Sequence, residues 1–273
     1  MNPANCYFWR MKSFLSAAAC IFTLISCNDA GSSGEDSNNA ASVPMISYNI
    51  SGSYPHDTAS FTQGLEFYNG QLLESTGNKG KSKLQQLNLQ TTKPVRHIDL
   101  DNQHFGEGIT VLRDTVYQLT WQEHVVHVYT AKDFKKVKEF KINTDGWGLT
   151  NDGTNLIATD GSSNLYFYDP STFKLLRVQS VTENGAPVVN LNELEFVNGF
   201  VYANQWQLNY ILKIDPNSGQ VISKLDLTDL VNRVKARYPQ ADVLNGIAFN
   251  KENQRFYVTG KYWPEIYEIQ FAL

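Results

Sequence analysis

Cysteine is scarce in this chain and absent from the part that can fold. Its three cysteines all lie within the first 27 residues: Cys6, Cys20 and Cys27. The remainder therefore has no disulfide bond, no thiol nucleophile and no cysteine metal site. Histidine is also sparse, and the five histidines follow no metal-binding spacing: His56, His97, His104, His124 and His127. We expect no catalytic metal and no other cofactor.

An excess of positive charge is lacking as well. The chain has 23 lysines and arginines against 27 aspartates and glutamates, which gives a net charge of −4. Proteins that bind nucleic acid usually carry a basic surface, so we expect no nucleic-acid partner. A chain of 273 residues with 12% aromatic residues is an ordinary folded protein, with one large domain or two small ones. No pattern addresses the oligomeric state, and we expect a monomer.

The apolar stretch near the N-terminus is too short to cross a membrane comfortably. It covers residues 14–26 and follows Arg10 and Lys12, which is the charge order of a secretory signal. It ends in "LISC", which resembles the bacterial lipobox, whose cysteine is acylated. We therefore expect residues 1–27 to be a lipoprotein-type signal peptide with Cys27 as the lipidation site. The alternative is a simple cleaved signal with a chance cysteine.

The segment after Cys27 is polar and rich in glycine and serine up to residue 44. A segment of this composition cannot bury a core. We expect residues 28–44 to be a flexible tether that joins a lipid anchor to one folded domain at residues 45–273. The expected location is the periplasm or the outer membrane, and the membrane is a partner only through the anchor.

One structural unit recurs five times in the folded part. Each unit has a polar or large residue, a small linker, an apolar strand, a turn rich in Asn, Asp or Gly, and a second strand. A third strand follows in every unit, and a fourth strand follows in the first four. The units start 40 to 53 residues apart, at Gln63, Glu107, Trp147, Asn192 and Asn245.

Four-stranded antiparallel units at this spacing are typical of a β-propeller. We predict an all-β fold, a five-bladed β-propeller. The fifth unit lacks its outer strand, which residues 45–50 ("MISYNI") can supply so that no sheet edge stays open. Residues 228–239 place Leu230, Val231 and Val234 at helical spacing, so we expect one short helix inserted before the last blade.

The first strand of each propeller blade lines the central channel, so the five repeat starts should form a ring at one mouth. The loops after the second strands lie on the same face and add further side chains: Glu74, Trp121, Gln122, Glu123, Asp160, Trp206, Lys261 and Trp263. The ring and these loops together are named the cup. Each of these residues alone could have a structural role and not a role in binding a ligand, because a polar ring can hold water and a tryptophan can pack in the core. Four of the five tryptophans fall in these segments, however.

The segments of the cup also carry motifs that resemble one enzyme family. In chain order the motifs are "FTQGLEF" (61–67), "FGEGIT" (105–110), "GWGLT" (146–150), "LNELEF" (191–196), "NQW" (204–206), "LNGIAF" (244–249) and "VTGKYWP" (258–264). They are similar to those of the glutaminyl-peptide cyclotransferases of the plant and bacterial β-propeller type. The resemblance runs from Tyr54 to Leu273. It implies an enzyme that cyclises the N-terminal glutamine of peptides and proteins to pyroglutamate, releases ammonia and uses no metal.

The resemblance places the family's site residues, motif by motif, on Phe61, Gln63, Glu107, Trp147, Asn192, Trp206 and Lys261. Glu107 is the expected proton shuttle, and burial should raise its pKa. Asn192, Gln63 and Lys261 are expected to donate hydrogen bonds to the amide oxygen. The predicted substrate-binding residues are Phe61, Gln63, Trp121, Trp147, Trp206 and Trp263.

Two other classes of propeller stay open on the residues alone. A Ca²⁺-dependent lactonase or hydrolase needs a channel ring of Glu, Asn and Asp, and this ring offers one carboxylate and a tryptophan. A non-catalytic propeller that binds peptides or sugars would also suit a tryptophan-rich cup. Ammonia release from a peptide with N-terminal glutamine separates these classes from a cyclotransferase.

Overall fold

Five antiparallel sheets surround one axis in the computed structural model, which describes residues 42–272. The innermost strand of each sheet contacts the innermost strands of both neighbours, and this closes the ring. The predicted five-bladed β-propeller is therefore confirmed. The predicted signal peptide, the lipidation site Cys27 and the tether up to residue 41 lie outside the described residues.

The first three blades are built in chain order, and each is numbered from the axis outward. Two strands, β1 (Met45–Ile46) and β2 (Asn49–Pro55), precede them. The strands of blade one are β3 (Thr62–Tyr68), β4 (Gln71–Thr76), β5 (Lys83–Leu87) and β6 (Pro94–Asp99). Those of blade two are β7 (Gly106–Leu112), β8 (Thr115–Thr120), β9 (Val125–Thr130) and β10 (Lys136–Lys141). Those of blade three are β11 (Leu149–Asn151), β12 (Leu156–Ala158), β13 (Asn164–Tyr168) and β14 (Leu175–Ser180).

A small hairpin that the sequence did not predict separates the third and fourth blades. It consists of β15 (Thr182–Glu183) and β16 (Ala186–Pro187). The strands of blade four are β17 (Leu191–Val197), β18 (Phe200–Gln205), β19 (Tyr210–Ile214) and β20 (Val221–Asp226). Those of blade five are β21 (Leu244–Asn250), β22 (Arg255–Gly260) and β23 (Glu265–Gln270).

The N-terminal segment closes the propeller, as predicted, but with different bounds. Strand β2 pairs antiparallel with β23 and completes blade five. The predicted strand, residues 45–50, is split: β1 pairs in parallel with β20 and adds a fifth strand to blade four. The closing strand "NISGSYP" is mostly polar because every second residue faces solvent, and this explains why apolar content alone placed it too early. The N-terminal segment thus joins the last two blades.

The predicted helix is α1 (Thr228–Arg237). Leu230, Val231 and Val234 are at most 2% exposed and pack on the apolar layer between blades four and five. The helix ends at Arg237, and its C-cap is Tyr238, directly before Pro239, because a proline disfavours the helical conformation of the residue before it. Within residues 42–272, no helix is long and apolar enough to span a membrane.

The apolar core lies between the blades and not on the axis. Each pair of neighbouring sheets shares one cluster of buried side chains, for example Leu73 and Ile109 between blades one and two. Leu65 and Ile266 lie in the cluster that joins blades one and five. Burying one such side chain stabilises a fold by roughly 1.5–3 kcal/mol. Interblade packing therefore holds the ring together and leaves the axis to polar side chains.

Candidate active site

Irregularities in the inner strands aim the ring side chains of the cup. Four of the five inner strands change register near their beginning, between Thr62 and Gly64, Gly106 and Ile109, Leu191 and Leu194, and Leu244 and Ile247. A β-bulge re-aims the side chain of its extra residue and is frequent beside active sites. The residues inside these irregularities include the predicted ring members Gln63, Glu107, Asn192 and Asn245. The fifth member, Trp147, directly precedes Gly148 and β11.

Glycines directly after three ring members let the inner strands approach one another closely. A Cβ atom on Gly64 would lie 2.6 Å from the nitrogen of Ile109, and one on Gly108 would lie 2.5 Å from the nitrogen of Leu149. On Gly148 it would lie 2.0 Å from the carbonyl oxygen of Asn192. Each of these contacts is with the backbone of the next blade. The base of the cup is therefore made of backbone that leaves no room for side chains at these positions.

Glu107 lies at the centre of the cup and is only 4% exposed. Burial raises the pKa of its carboxyl group well above the usual range. The positive charge of Lys261 and a hydrogen bond from the Gln63 side chain act in the opposite direction, whereas Glu123 and Asp145 add to the rise. The predicted rise of the Glu107 pKa thus agrees with its surroundings. Such a carboxyl group can both accept and return a proton near neutral pH.

Lys261 reaches the cup from the loop after β22. Its Nζ atom lies 4.4 Å from the centre of the Phe61 ring, within the range of a cation–π contact. Burial lowers the pKa of Lys261, while the charges of Glu107 and Asp242 oppose that effect. Backbone bonds to Val243 and Asp242, of 3.0 and 2.8 Å, fix the loop at this point. Lys261 is therefore a positioned positive charge beside Glu107.

Three buried side-chain amides belong to the same ring as Glu107: Gln63, Asn192 and Asn245. Asn245 Nδ2 donates to Gln63 Oε1 at 3.1 Å and to the Thr62 carbonyl at 3.0 Å. Asn192 is 3% exposed, and its Oδ1 atom has no hydrogen-bond partner within residues 42–272. A buried polar atom without a partner costs free energy. Asn192 Oδ1 can therefore accept a hydrogen bond from an N–H group that enters the cup.

Aromatic side chains form the wall of the cup in two groups. Trp147 and Trp206 meet edge to face with their ring centres 5.6 Å apart. On the other side, Phe61 contacts Phe105 at 5.8 Å and Tyr262 at 5.2 Å, and Phe105 contacts Trp121 at 5.7 Å. The sequence analysis missed Phe105 and Tyr262. Phe105 lies two residues before Glu107 in "FGEG", and Tyr262 directly follows Lys261 in "KYW". This nearness in the sequence to a predicted residue was the available signal.

Trp263 does not line the cup, unlike the other predicted tryptophans. It is 0% exposed and belongs to the apolar cluster beside helix α1. Its Nε1 atom donates to the Asp242 carbonyl at 2.9 Å, and a Cβ atom on Gly260 would lie 2.3 Å from Nε1. This position corrects the expectation that Trp263 touches substrate. It supports the loop that carries Lys261.

Glu74 lies behind the cup in a buried ion pair. Its carboxyl group lies 3.1 Å from His56 Nε2 and accepts hydrogen bonds from Thr62 Oγ1 at 2.6 Å and Gln85 Nε2 at 2.7 Å. His56 Nδ1 lies 2.9 Å from the Trp263 carbonyl. The pair thus connects the end of the closing strand, the Lys261 loop and the strand of Gln63.

The pKa values of this pair move apart. Burial opposes the charge of both groups, but their mutual attraction and hydrogen bonds outweigh it, so that the pKa of His56 is raised and that of Glu74 is lowered. Both shifts favour the ionised forms of His56 and Glu74 over those of the free side chains.

A second cavity of about 730 Å³ lies where the inner strands end, at the mouth opposite the cup. It is lined by Glu66 and Glu195, among others, and burial raises the pKa of Glu66 to about 7. The lining of this cavity also contains Lys251 and several side-chain amides, but no tryptophan among the described residues. Lys261, the amides of the ring and the tryptophans of the wall belong to the cup. We place the candidate active site in the cup because those groups converge there. Among residues 42–272, no three His, Cys, Asp or Glu side chains are arranged to hold a metal ion.

Comparison with known proteins gives consistent matches over most of the chain. The family model described as glutamine cyclotransferase matches residues 21–271. A glutaminyl-peptide cyclotransferase of Arabidopsis thaliana is 42% identical over 220 residues, which cover 80% of this chain and 69% of the Arabidopsis chain. The crystal structure of a Myxococcus xanthus glutaminyl cyclase superposes with a TM-score of 0.79 at 36% identity, covering 85% of this chain and 98% of that one.

Replacing Glu74 by Gln should destabilise the protein by about 3–5 kcal/mol at neutral pH, because a buried ion pair loses one partner. In the unchanged protein, stability should fall as the pH drops through the lowered pKa of Glu74, and again as the pH rises through the raised pKa of His56. The low-pH loss attributable to Glu74 should be absent in Glu74→Gln. Urea unfolding across a pH series measures both effects.

Glu183→Gln is the matched control for this experiment. It removes a partly exposed contact of 2.6 Å with Lys224, which should cost less than about 1 kcal/mol. Equal destabilisation by the two substitutions would contradict the role assigned to the His56–Glu74 pair.

Proposed function

The chain belongs to the glutamine cyclotransferase family and is an enzyme that cyclises N-terminal glutamine to pyroglutamate with release of ammonia, and we propose that it does so without a metal ion, with Glu107 as the proton relay. The observation that carries this proposal is the position of Glu107, a buried carboxyl group that faces Lys261 and Gln63. The substrates are peptides and proteins whose N-terminal residue is glutamine.

The reaction needs one group that can both take and give a proton. The α-amine of the substrate attacks the side-chain amide carbon, a five-membered ring closes, and the bond to the departing nitrogen breaks. A free α-amine has a pKa of about 7.7–8.0, so part of it is already unprotonated near neutral pH. The departing nitrogen, however, leaves as ammonia only after it gains a proton. Acid–base catalysis of this kind contributes roughly 10²–10⁴-fold.

Glu107 meets this need because opposing influences act on it. Its ionised form can accept the proton of the attacking amine, and Lys261 and Gln63 stabilise that form. Burial destabilises the ionised form, so the carboxyl group returns the proton readily to the departing nitrogen. In this scheme no metal-bound water is required.

Lys261, Asn192 and Gln63 act on the amide oxygen, where negative charge develops during the attack. Lys261 supplies a buried positive charge, and the two amides supply hydrogen bonds from fixed positions on the inner strands. Preorganised donors of this kind cost little reorganisation during the reaction. These three groups stabilise the charge on the amide oxygen of the substrate, while Glu107 transfers a proton between the attacking and departing nitrogen atoms.

The aromatic wall holds the glutamine side chain in a bent conformation. Trp147 and Trp206 meet at a right angle, and Phe61 stands opposite Lys261. Packing against these rings restricts the rotations of the glutamine side chain and brings the amine close to the amide carbon. Holding two reacting groups together lowers the barrier substantially.

We further propose that the enzyme is an exported monomer, anchored in the cell envelope through an acylated Cys27. The basic residues before an apolar stretch and the "LISC" motif support the anchor, and residues 28–44 would then be the tether. We expect Cys27→Ser to move the protein from the membrane fraction to the soluble fraction. A variant that stays in the membrane fraction would contradict the lipid anchor.

Glu107→Gln should fold normally but lose most of its turnover, at least about 100-fold, because an amide of the same shape cannot relay a proton. Ammonia release from a peptide with N-terminal glutamine measures this loss. The unchanged enzyme should react with that peptide in the presence of a chelator. It should not react with the same peptide when its amine is acetylated or when its first residue is asparagine.

Near-normal turnover of Glu107→Gln would remove Glu107 from the proposed role. Loss of activity in chelator together with stoichiometric bound metal would overturn the metal-free mechanism and favour a metal-dependent propeller. No ammonia from any glutamine peptide, with peptide binding intact, would favour a non-catalytic binding propeller.

Trp206→Ala should lower kcat/KM at least tenfold, because the substrate would cover the half-buried Trp206 ring, and truncating an aromatic side chain at a binding site costs on the order of 2 kcal/mol. Trp206→Phe, which keeps an aromatic ring, should lose less. Leu208→Ala is the control in the same loop, since this side chain is 43% exposed and should leave kcat/KM unchanged. An unaltered kcat/KM in Trp206→Ala would show that the wall does not hold the substrate.

A further inference from the structure

The residue that directly follows each ring residue is a glycine in blades one, two, three and five, and a glutamate in blade four. The glycines are Gly64, Gly108, Gly148 and Gly246, and the glutamate is Glu193. The carboxyl group of Glu193 accepts the backbone N–H of Leu65 in blade one at 3.1 Å and that of Ile247 in blade five at 2.7 Å. A single side chain of blade four therefore bonds the inner strands of two other blades.

Burying the carboxyl group of Glu193 at this position costs free energy. It is 0% exposed, and burial raises its pKa well above the usual range. The two backbone N–H groups lower that pKa, but the charge of Glu66 raises it. No lysine, arginine or histidine forms an ion pair with Glu193 within residues 42–272. The free-energy cost of burying Glu193 indicates that its carboxyl group has a role other than stabilising the fold.

Both strands that Glu193 bonds carry ring residues of the cup. Leu65 stands two residues after Gln63, and Ile247 stands two residues after Asn245. Asn245 Nδ2 in turn donates to Gln63 Oε1 at 3.1 Å, and the Gln63 side chain is near enough to Glu107 to lower the pKa of its carboxyl group. Hydrogen bonds therefore lead from Glu193 to the strands of Gln63 and Asn245, and Gln63 acts on the proposed relay.

We propose that Glu193 is a positioning residue for the cyclisation reaction, which fixes blades one and five so that Gln63 keeps its place beside Glu107. This role rests on the proposed function of Glu107 as the relay. Glu193 does not touch the substrate in this scheme, because it lies below the ring. Without its two bonds, the bulges that carry Gln63 and Asn245 are free to shift, and a displacement of about 1 Å can cost on the order of 100-fold in rate.

Glu195 provides a matched comparison on the same strand. It stands two residues further along β17, is 7% exposed, and accepts one backbone N–H, that of Phe249, at 3.1 Å. It also bonds blade five, but it has no hydrogen bond to blade one within residues 42–272. Glu195→Gln therefore removes a buried carboxylate of the same strand without releasing the strand of Gln63.

The experiment compares Glu193→Gln and Glu195→Gln in the full protein, by urea unfolding and by kcat and KM for a peptide with N-terminal glutamine over a pH series. Both variants should be less stable. Only Glu193→Gln should lower kcat/KM, by about tenfold or more, with most of the loss in kcat. Its acidic limb should also move to higher pH, because the Gln63 side chain lowers the pKa of Glu107 and displacing that side chain removes part of this effect.

The pH comparison isolates this change. Apart from the neutral Gln63 side chain, three charged groups act on the pKa of Glu107: Lys261, Glu123 and Asp145. Both variants retain these charged groups. The substrate amine titrates identically in every variant. A shift between variants therefore reports a change around Glu107 itself.

Equal kcat/KM and equal acidic limbs in Glu193→Gln and the unchanged enzyme would overturn the proposal and leave Glu193 a purely structural residue. If Glu193→Gln does not fold, Asn245→Ala breaks the same series of contacts beyond Glu193. It should show the same shift of the acidic limb, and its absence there would equally overturn the proposal. Full turnover of Glu107→Gln would instead refute the relay itself, so the two failures are distinguishable.

Discussion

The close approach of the inner strands of blades one to four, just below the cup, is the constraint on which the site depends. At Gly64, Gly108 and Gly148 a Cβ atom would lie 2.0 to 2.6 Å from the backbone of the next blade, so the strands meet without intervening side chains. Each neighbouring ring residue is consequently directed to the mouth. The register of four inner strands also changes at the level of the ring residues. A rigid backbone floor therefore sets where Glu107, Gln63 and Asn192 can be.

The position of the apolar core makes a polar axis possible. Buried apolar side chains lie between neighbouring blades, so the axis is free for groups that would weaken an apolar core. Three carboxyl groups lie along it, two of them buried, and each accepts at least one backbone N–H from another blade: Glu66, Glu193 and Glu195. Hydrogen bonding offsets the cost of their burial. The same carboxyl groups connect blades that apolar packing joins only pairwise.

Much of this architecture was predictable because it repeats. The recurrent strand pattern predicted five blades, and the ring residues followed from their common place in the repeat. The closing strand was placed too early because β2 is half exposed and polar, so its pairing depends on distant β23 and not on local composition. Trp263 was misplaced for a related reason, since a tryptophan in a rim loop can turn inward, as it does beneath Gly260. The bonds of Glu193 link residues far apart in the chain, and no local pattern contains them.

Two buried glutamates of the propeller show how surroundings separate a structural carboxyl group from a reactive one. Glu74 and Glu107 are both almost fully buried, and burial alone would raise the pKa of each. At Glu74, the charge of His56 and the hydrogen bonds from Thr62 and Gln85 outweigh burial and lower the pKa. At Glu107, Lys261 and Gln63 are outweighed, and the pKa is raised. A carboxyl group fixed in its ionised form cannot return a proton near neutral pH, so Glu74 can support the cup but only Glu107 is suited to act within it.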